Sequence, residues 1–162
     1  MGATNAFNVR DLTQHAKAQL GQVNVNVKAL PLSAGSSNLF TVTGTIQVNA
    51  LIGVVTVVAS AADALSLKVV NGANTFTLAA AGTAATPAVG SVYVLPTALG
   101  GALPAAISAI TATAKSASFF TVNTGGVIAV TTSATITTGT IAWVLAWSPV
   151  FPKNEVATVV NN

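Results

Sequence analysis

Beginning at Leu39, apolar and polar side chains alternate one for one. Phe40, Val42, Ile46, Val48 and Ala50 share one parity, Thr41, Thr43, Thr45, Gln47 and Asn49 the other, and Gly44 falls on the apolar side. Successive side chains of an extended strand point to opposite faces, so the pattern predicts a strand with one face in a core and the other toward water. Further β-rich runs cover 52–58, 65–70, 75–78, 91–95, 119–123, 127–132 and 141–148. They are separated by Asn71-Gly72-Ala73-Asn74, Thr86-Pro87, Gly100-Gly101, Gly125-Gly126 and Thr138-Gly139, all of them turn chemistry. Roughly seven or eight short strands bounded in this way predict an all-β chain, an antiparallel β-sandwich of jelly-roll-like form. Parity puts Phe40, Val42, Ile46, Val48, Ile141, Trp143 and Leu145 in its core. The alanine-rich stretch 98–114 is cut by Gly100, Gly101 and Pro104 and reads as a long loop with at most one helical turn.

Residues 1–36 differ in character from the remainder of the chain. They hold Arg10, Asp11, Gln14, His15, Lys17, Gln19 and Lys28 and lead into the loop-like Ser33-Ala34-Gly35-Ser36-Ser37-Asn38. Leu12, Ala16 and Leu20 recur at helical spacing between a candidate N-cap, Asn8, and a candidate stop, Gly21, and predict a short amphipathic helix. Val23, Val25 and Val27 then alternate with Asn24, Asn26 and Lys28 in strand fashion. The segment reads as an N-terminal arm, with residues 37–162 as the sandwich domain. Phe7, Leu12 and Leu20 offer the arm apolar contacts and Arg10 and Lys17 offer charge, so these five are the candidate interface with another protein surface.

Charge is scarce. The 162 residues carry six Lys/Arg, three Asp/Glu and one His, a charged fraction of 6% where soluble domains usually have about a quarter. With 52% apolar residues, disorder is excluded, because such a chain can bury enough surface to offset its ordering entropy. The length suits one domain. Cysteine is absent, which removes disulfides and thiolate chemistry.

The same scarcity argues against catalysis. His15 has no Ser-His-Asp setting, and Asp11, Asp63 and Glu155 stand far apart, so the chain reads as a non-enzyme without catalytic, cofactor-binding or metal sites. The net charge of +3 is spread over Arg10, Lys17, Lys28, Lys68, Lys115 and Lys153 with no basic cluster, which disfavours nucleic acid. The most apolar windows, 48–67 and 141–151, are interrupted by Asp63 or too short for a spanning helix of roughly 20 residues, so no membrane is expected. The start has no basic region followed by a long apolar one, and the chain reads as made in the cytoplasm and not exported. Threonine is the polar residue in surplus. It solubilises strand faces without charge, and a Thr-x-Thr row on a flat sheet is also what an ice- or glycan-binding module would present. A surface so poor in charge favours packing against other protein.

Two stretches carry a family resemblance. Leu39-Phe40-Thr41-Val42-Thr43-Gly44-Thr45-Ile46-Gln47-Val48, continuing through Leu51-Ile52-Gly53-Val54-Val55-Thr56, is similar to the opening "vFtvtGgi.v..liG.vtt" of small β-rich structural proteins of tailed bacteriophages. Gly126-Val127-Ile128, followed by Gly139-Thr140-Ile141-Ala142-Trp143-Val144-Leu145-Ala146-Trp147-Ser148-Pro149, resembles the family's closing "G.i.w.l.y.Pl". With the strand Gly90-Ser91-Val92-Tyr93-Val94-Leu95-Pro96, the resemblance covers residues 39–150 and leaves the arm outside it. It implies a virion component, a capsid decoration or cement protein on the outside of the phage head, with the major capsid protein and further copies of itself as partners and a trimer as the expected homo-oligomer. A tail, baseplate or head-fibre subunit is the alternative. The arm residues Phe7, Arg10, Leu12, Lys17 and Leu20 are then the expected contacts to capsid or neighbouring subunit.

Overall fold

The alternating runs at 22–29, 38–43 and 46–48 are extended chain. A computed structural model describes residues 22–29, 35–96, 98–103, 120–134, 137–150 and 157–162. These residues form ten strands: β1 Gln22–Ala29, β2 Gly35–Thr43, β3 Ile46–Val57, β4 Leu65–Asn71, β5 Asn74–Ala79, β6 Val92–Val94, β7 Phe120–Val122, β8 Val127–Thr132, β9 Thr140–Pro149 and β10 Thr158–Asn161. The fold is all-β. One antiparallel sheet has the order β1-β9-β3-β6, with β7 also on β3, and the other has the order β10-β2-β8-β4-β5. They pack face to face as a sandwich.

One set of pairings is nested: β4 pairs with β5, β3 with β6 and β7, β2 with β8, and β1 with β9, while β3–β9, β4–β8 and β2–β10 cross this set. The chain thus runs as one long hairpin, its tip at the two-residue loop Gly72-Ala73, folded over so that its halves contribute to both sheets.

Residues 39–50, read as one strand, are two. At Gly44 the backbone takes φ 74, a left-handed conformation that glycine adopts without a Cβ clash, and the chain leaves one sheet for the other. The parity survives the corner because both sheets face the same core: Phe40 and Val42 before it and Ile46 and Val48 after it are all buried. Bulges then shift the pattern. Leu39 and Phe40 are both buried beside the irregularity at Asn38/Phe40, and the one at Val48/Ala50 passes the inward parity from Val48 to Leu51, Gly53 and Val55. Ala50, expected on the core face, is only half-buried for this reason.

The predicted core is otherwise observed, with Phe40, Val42, Ile46, Val48, Ile141, Trp143 and Leu145 all at 2% exposure or less. Trp143 stacks on Tyr93 with ring centroids 6.5 Å apart. Apolar indole surface removed from water contributes about 25 cal/mol per Å², which makes the two tryptophans of β9 among the largest single contributors to the core.

The arm boundary falls elsewhere. Residues 22–29 form β1, paired with β9 from Gln22↔Trp147 to Ala29↔Thr140, and Gly35 and Ser36 pair with Thr132 and Thr131 in β2. Strands on both sides of the Ser33–Asn38 stretch therefore belong to the sandwich. The alternation of valine with asparagine from residue 23 is strand chemistry of the same period as the rest. Of the alanine-rich stretch, residues 98–103 form turns and a single bridge, Ala102 to Ala80, and residues 104–114 lie outside the described residues.

Candidate functional site

Phe7, Arg10, Leu12, Lys17 and Leu20, the candidate interface, lie outside the described residues, as do His15 and the candidate helix. Two polar constructions stand out among those described.

The first fastens β1 to β2 and to the β10 segment. On β1, Asn26 is buried, and its amide donates to the carbonyl of Leu39 at 2.6 Å and to that of Asn162 at 2.9 Å. Its neighbour on the same face, Asn24, donates to Val159 O at 3.0 Å and accepts from the indole nitrogen of Trp147 at 2.9 Å. Leu39 O is open to these donors because β2 bulges there, and it also accepts the backbone N–H of Asn162 at 3.1 Å. Two asparagines of one sheet thereby tie down β2 and β10 of the other. The alternation in β1 is legible in the sequence, but not that its asparagines face a seam between sheets.

The second lies at one end of the sandwich, where the β3–β4 loop meets the β8–β9 loop. Ser60 Oγ accepts the N–H of Thr137 at 2.7 Å, and Ser60 N–H donates to Thr138 O at 3.0 Å. Three residues on, the carboxylate of Asp63 is 4% exposed, and its Oδ1 accepts from Ser133 N at 2.8 Å, Ala134 N at 3.0 Å and Ser133 Oγ at 3.1 Å. Backbone bonds in both directions between Asp63 and Ala85 hold the loop from the other side. The second carboxylate oxygen, Oδ2, is buried without a hydrogen-bond partner, as are Thr131 Oγ1 and Trp143 Nε1. Asp63 also borders a small cleft of about 10 Å³, lined by Val55, Val57, Leu65, Pro87, Tyr93 and Ile141 among others. Burial, and secondarily the Asp63 charge, push the Tyr93 phenol above its ordinary pKa.

Sequence reasoning saw Asp63 as one of three separated acids and as the charge that interrupts the apolar window 48–67. Its signal was context: it is set in the apolar run from Val54 to Leu67, where a carboxylate has either a buried partner or a task. Among the described residues no three His, Cys, Asp or Glu side chains stand together as a metal-binding group, and no helix is long and apolar enough to cross a membrane.

Of the nine charged residues, only Lys28, Lys68 and Asp63 are among those described, so the described part of the sandwich carries little charge. Its solvent side carries Ser, Thr and Asn together with exposed Val57, Val58, Phe76, Val89 and Val160. The threonines do not form a uniform array: across the ladders Thr41 meets Val127 and Val160, Thr75 meets Val70, and Thr77 meets Lys68. No protein-family model, no curated protein and no solved structure matches the chain.

Proposed function

We propose that the chain is a non-enzymatic structural subunit of a tailed-phage virion, a decoration protein that binds the outer face of the capsid as a homo-oligomer. The observation that carries this reading is the scarcity of charge, 6% of the chain and three residues among those described. A surface of neutral polar groups and exposed valines has little repulsion to keep copies apart and low desolvation cost on docking, which suits a part made to be covered. Strand order supports it as well: apart from β7 and the edge strand β10, β1-β9-β3-β6 and β2-β8-β4-β5 follow the interleaving expected of a jelly roll, an architecture used by viral capsid proteins and also by lectins and cupins. So does the placement of the family-like stretches. The opening stretch runs through β2 and β3, the closing one covers the start of β8 and then β9, and the third is β6; β9 and β6 flank β3 in one sheet and β2 pairs with β8 in the other, although they are distant in sequence.

Cryo-electron microscopy of the parent particle tests the proposal. Density for a two-sheet sandwich on the capsid exterior, repeated with the lattice symmetry, is the expected result. Density at the tail, baseplate or head fibre would assign the chain to that part instead, and its absence from particles would end the virion reading. Thermal hysteresis or a glycan-array signal from the isolated protein would favour a threonine-based binding module.

A further inference from the structure

We propose that β5 is an interface with a second copy of this chain: two copies join edge to edge about Phe76, antiparallel, and merge their five-stranded sheets into one.

β5 is the last strand of the sheet β10-β2-β8-β4-β5 and has a ladder partner on one side only. The two-residue loop Gly72-Ala73 makes Asn71 and Asn74 the first hydrogen-bonded pair of the hairpin, and from there bonded and non-bonded pairs alternate. Val69 and Phe76 are bonded, whereas Thr75 and Thr77, opposite Val70 and Lys68, turn their N–H and C=O groups away from β4. Among the described residues no backbone group meets the main chain of those two threonines from outside. Farther along, the edge is closed: Gly100 N–H donates to Leu78 O at 2.9 Å and Ala80 N–H to Gly101 O at 2.8 Å. At the opposite edge of the sheet, Asn24 and Asn26 cover β10 and its last residue through the carbonyls of Val159 and Asn162.

The open stretch has none of the devices that keep sheet edges apart. Asn74-Thr75-Phe76-Thr77 carries no charge, proline or bulge, and all four residues are exposed. Phe76 stands on the core side of the sheet, opposite Val69, which in turn faces Ile128 of β8; with no strand beyond β5 it is 55% exposed.

The occupant follows from the order of the residues. Thr75-Phe76-Thr77 reads the same in both directions, so it is its own antiparallel complement, and a two-fold axis at Phe76 satisfies both copies at once. Thr75 of each copy then exchanges N–H···O=C bonds with Thr77 of the other. The two Phe76 rings meet in the non-bonded position, where Cα atoms stand about 4.5 Å apart. Gly100 in the covering turn has no side chain, and where a Cβ would come to 3.9 Å from Thr77 O the approach stays open. Lys68, one strand further in, is kept three strand spacings from its counterpart, about 14 Å, where salt screens their repulsion. The virion reading leaves open which surface joins copies, and this one stands without that reading.

The test is sedimentation of the full chain over a concentration series, with Thr75→Pro and Phe76→Lys alongside. Thr75→Pro removes an N–H that β4 does not use, at a position where an edge strand accepts proline, and Phe76→Lys sets like charges directly opposite each other across the axis. The wild-type chain should dimerise reversibly, and each variant should weaken the dimer at least about tenfold with its circular dichroism unchanged. Phe76→Cys, the sole thiol in a chain without cysteine, should cross-link into a dimer on mild oxidation, whereas Val160→Cys, equally exposed on β10, should not. In amide exchange, the N–H groups of Thr75 and Thr77 should gain protection with concentration while that of Phe76 stays protected throughout. A monomer at every concentration would overturn the proposal, as would a trimer, a dimer that survives both variants, or equal cross-linking of the two thiols. Protection of Thr75 and Thr77 in the dilute monomer would mean that the chain itself covers the edge, and would overturn it equally.

Discussion

Gly53 faces Trp143 across the β3–β9 ladder, and the indole occupies the space where a side chain at 53 would be. A Cβ placed on Gly53 would lie 2.8 Å from Cζ3 and 2.9 Å from Cη2 of Trp143, and 3.0 Å from Cγ2 of Ile141. Neither ring nor backbone can yield cheaply in a packed sheet, because the indole is itself stacked on Tyr93. The glycine is there for the tryptophan.

Gly53→Ala should therefore destabilise the chain by about 1–3 kcal/mol through overpacking, read by urea denaturation with Trp fluorescence. Trp143→Ala should cost about 3–5 kcal/mol. Trp143→Phe should cost less, since it also removes the buried Nε1 that has no acceptor. A Trp143→Ala chain that melts like wild type would refute the core assignment.

Asn26→Ala should cost about 1–3 kcal/mol, because it takes a donor away from the carbonyls of both Leu39 and Asn162 at a seam closed to water on the Asn26 side. Removing residues 158–162 deletes much of the same seam. The two changes together should cost clearly less than their sum, measured by a double-mutant cycle.

Deleting residues 1–36 should abolish the cooperative fold. It removes β1, exposes the edge of β9 and takes away the acceptor of the Trp147 indole. Deleting residues 1–21 spares all of β1 to β10 and should leave a cooperative unfolding transition by circular dichroism. If the chain serves as a capsid protein through its arm, that shorter deletion should weaken binding to undecorated capsids by at least about tenfold, or 1.4 kcal/mol.

Alkaline pH should weaken the fold through Tyr93. Its folded pKa is raised, so the native state holds the phenolic proton more tightly than the unfolded chain does. That contribution is complete below the unfolded value of about 10 and is lost as pH rises from there through the folded value. In denaturation series across this range, Tyr93→Phe should lose less stability than wild type.

Sedimentation of the full chain at micromolar concentration should show an oligomer. A clean species of 16.0 kDa would count against obligate self-association.

Period-two patterning made the fold class legible, since it depends only on which residues must leave water. Phe40, Val42, Ile46 and Val48 kept their face even through the corner at Gly44. What escaped the pattern was anything set by a partner distant in sequence. Ala50 lost its place to Leu51 because of a bulge that only the pairing with β9 reveals. Asn26 is polar and buried because Leu39 and Asn162 meet it there. Asp63 gained its significance from Ser133 and Ala134, some seventy residues away.

The nested set of pairings also sets an order in which partners become available during synthesis. The inner hairpin β4–β5 can close as soon as it emerges, across two residues, and each outer pair then closes over a loop already shortened by the inner ones. β1 has the longest wait: it is the first of the ten strands to be made, and β9 is complete only at Pro149. Throughout that interval it is an open edge, the kind of segment that recruits other nascent chains. Asparagines at 24 and 26 interrupt its run of valines, so the residues that lock the finished sandwich are also those that make β1 a poor template for aggregation while it waits.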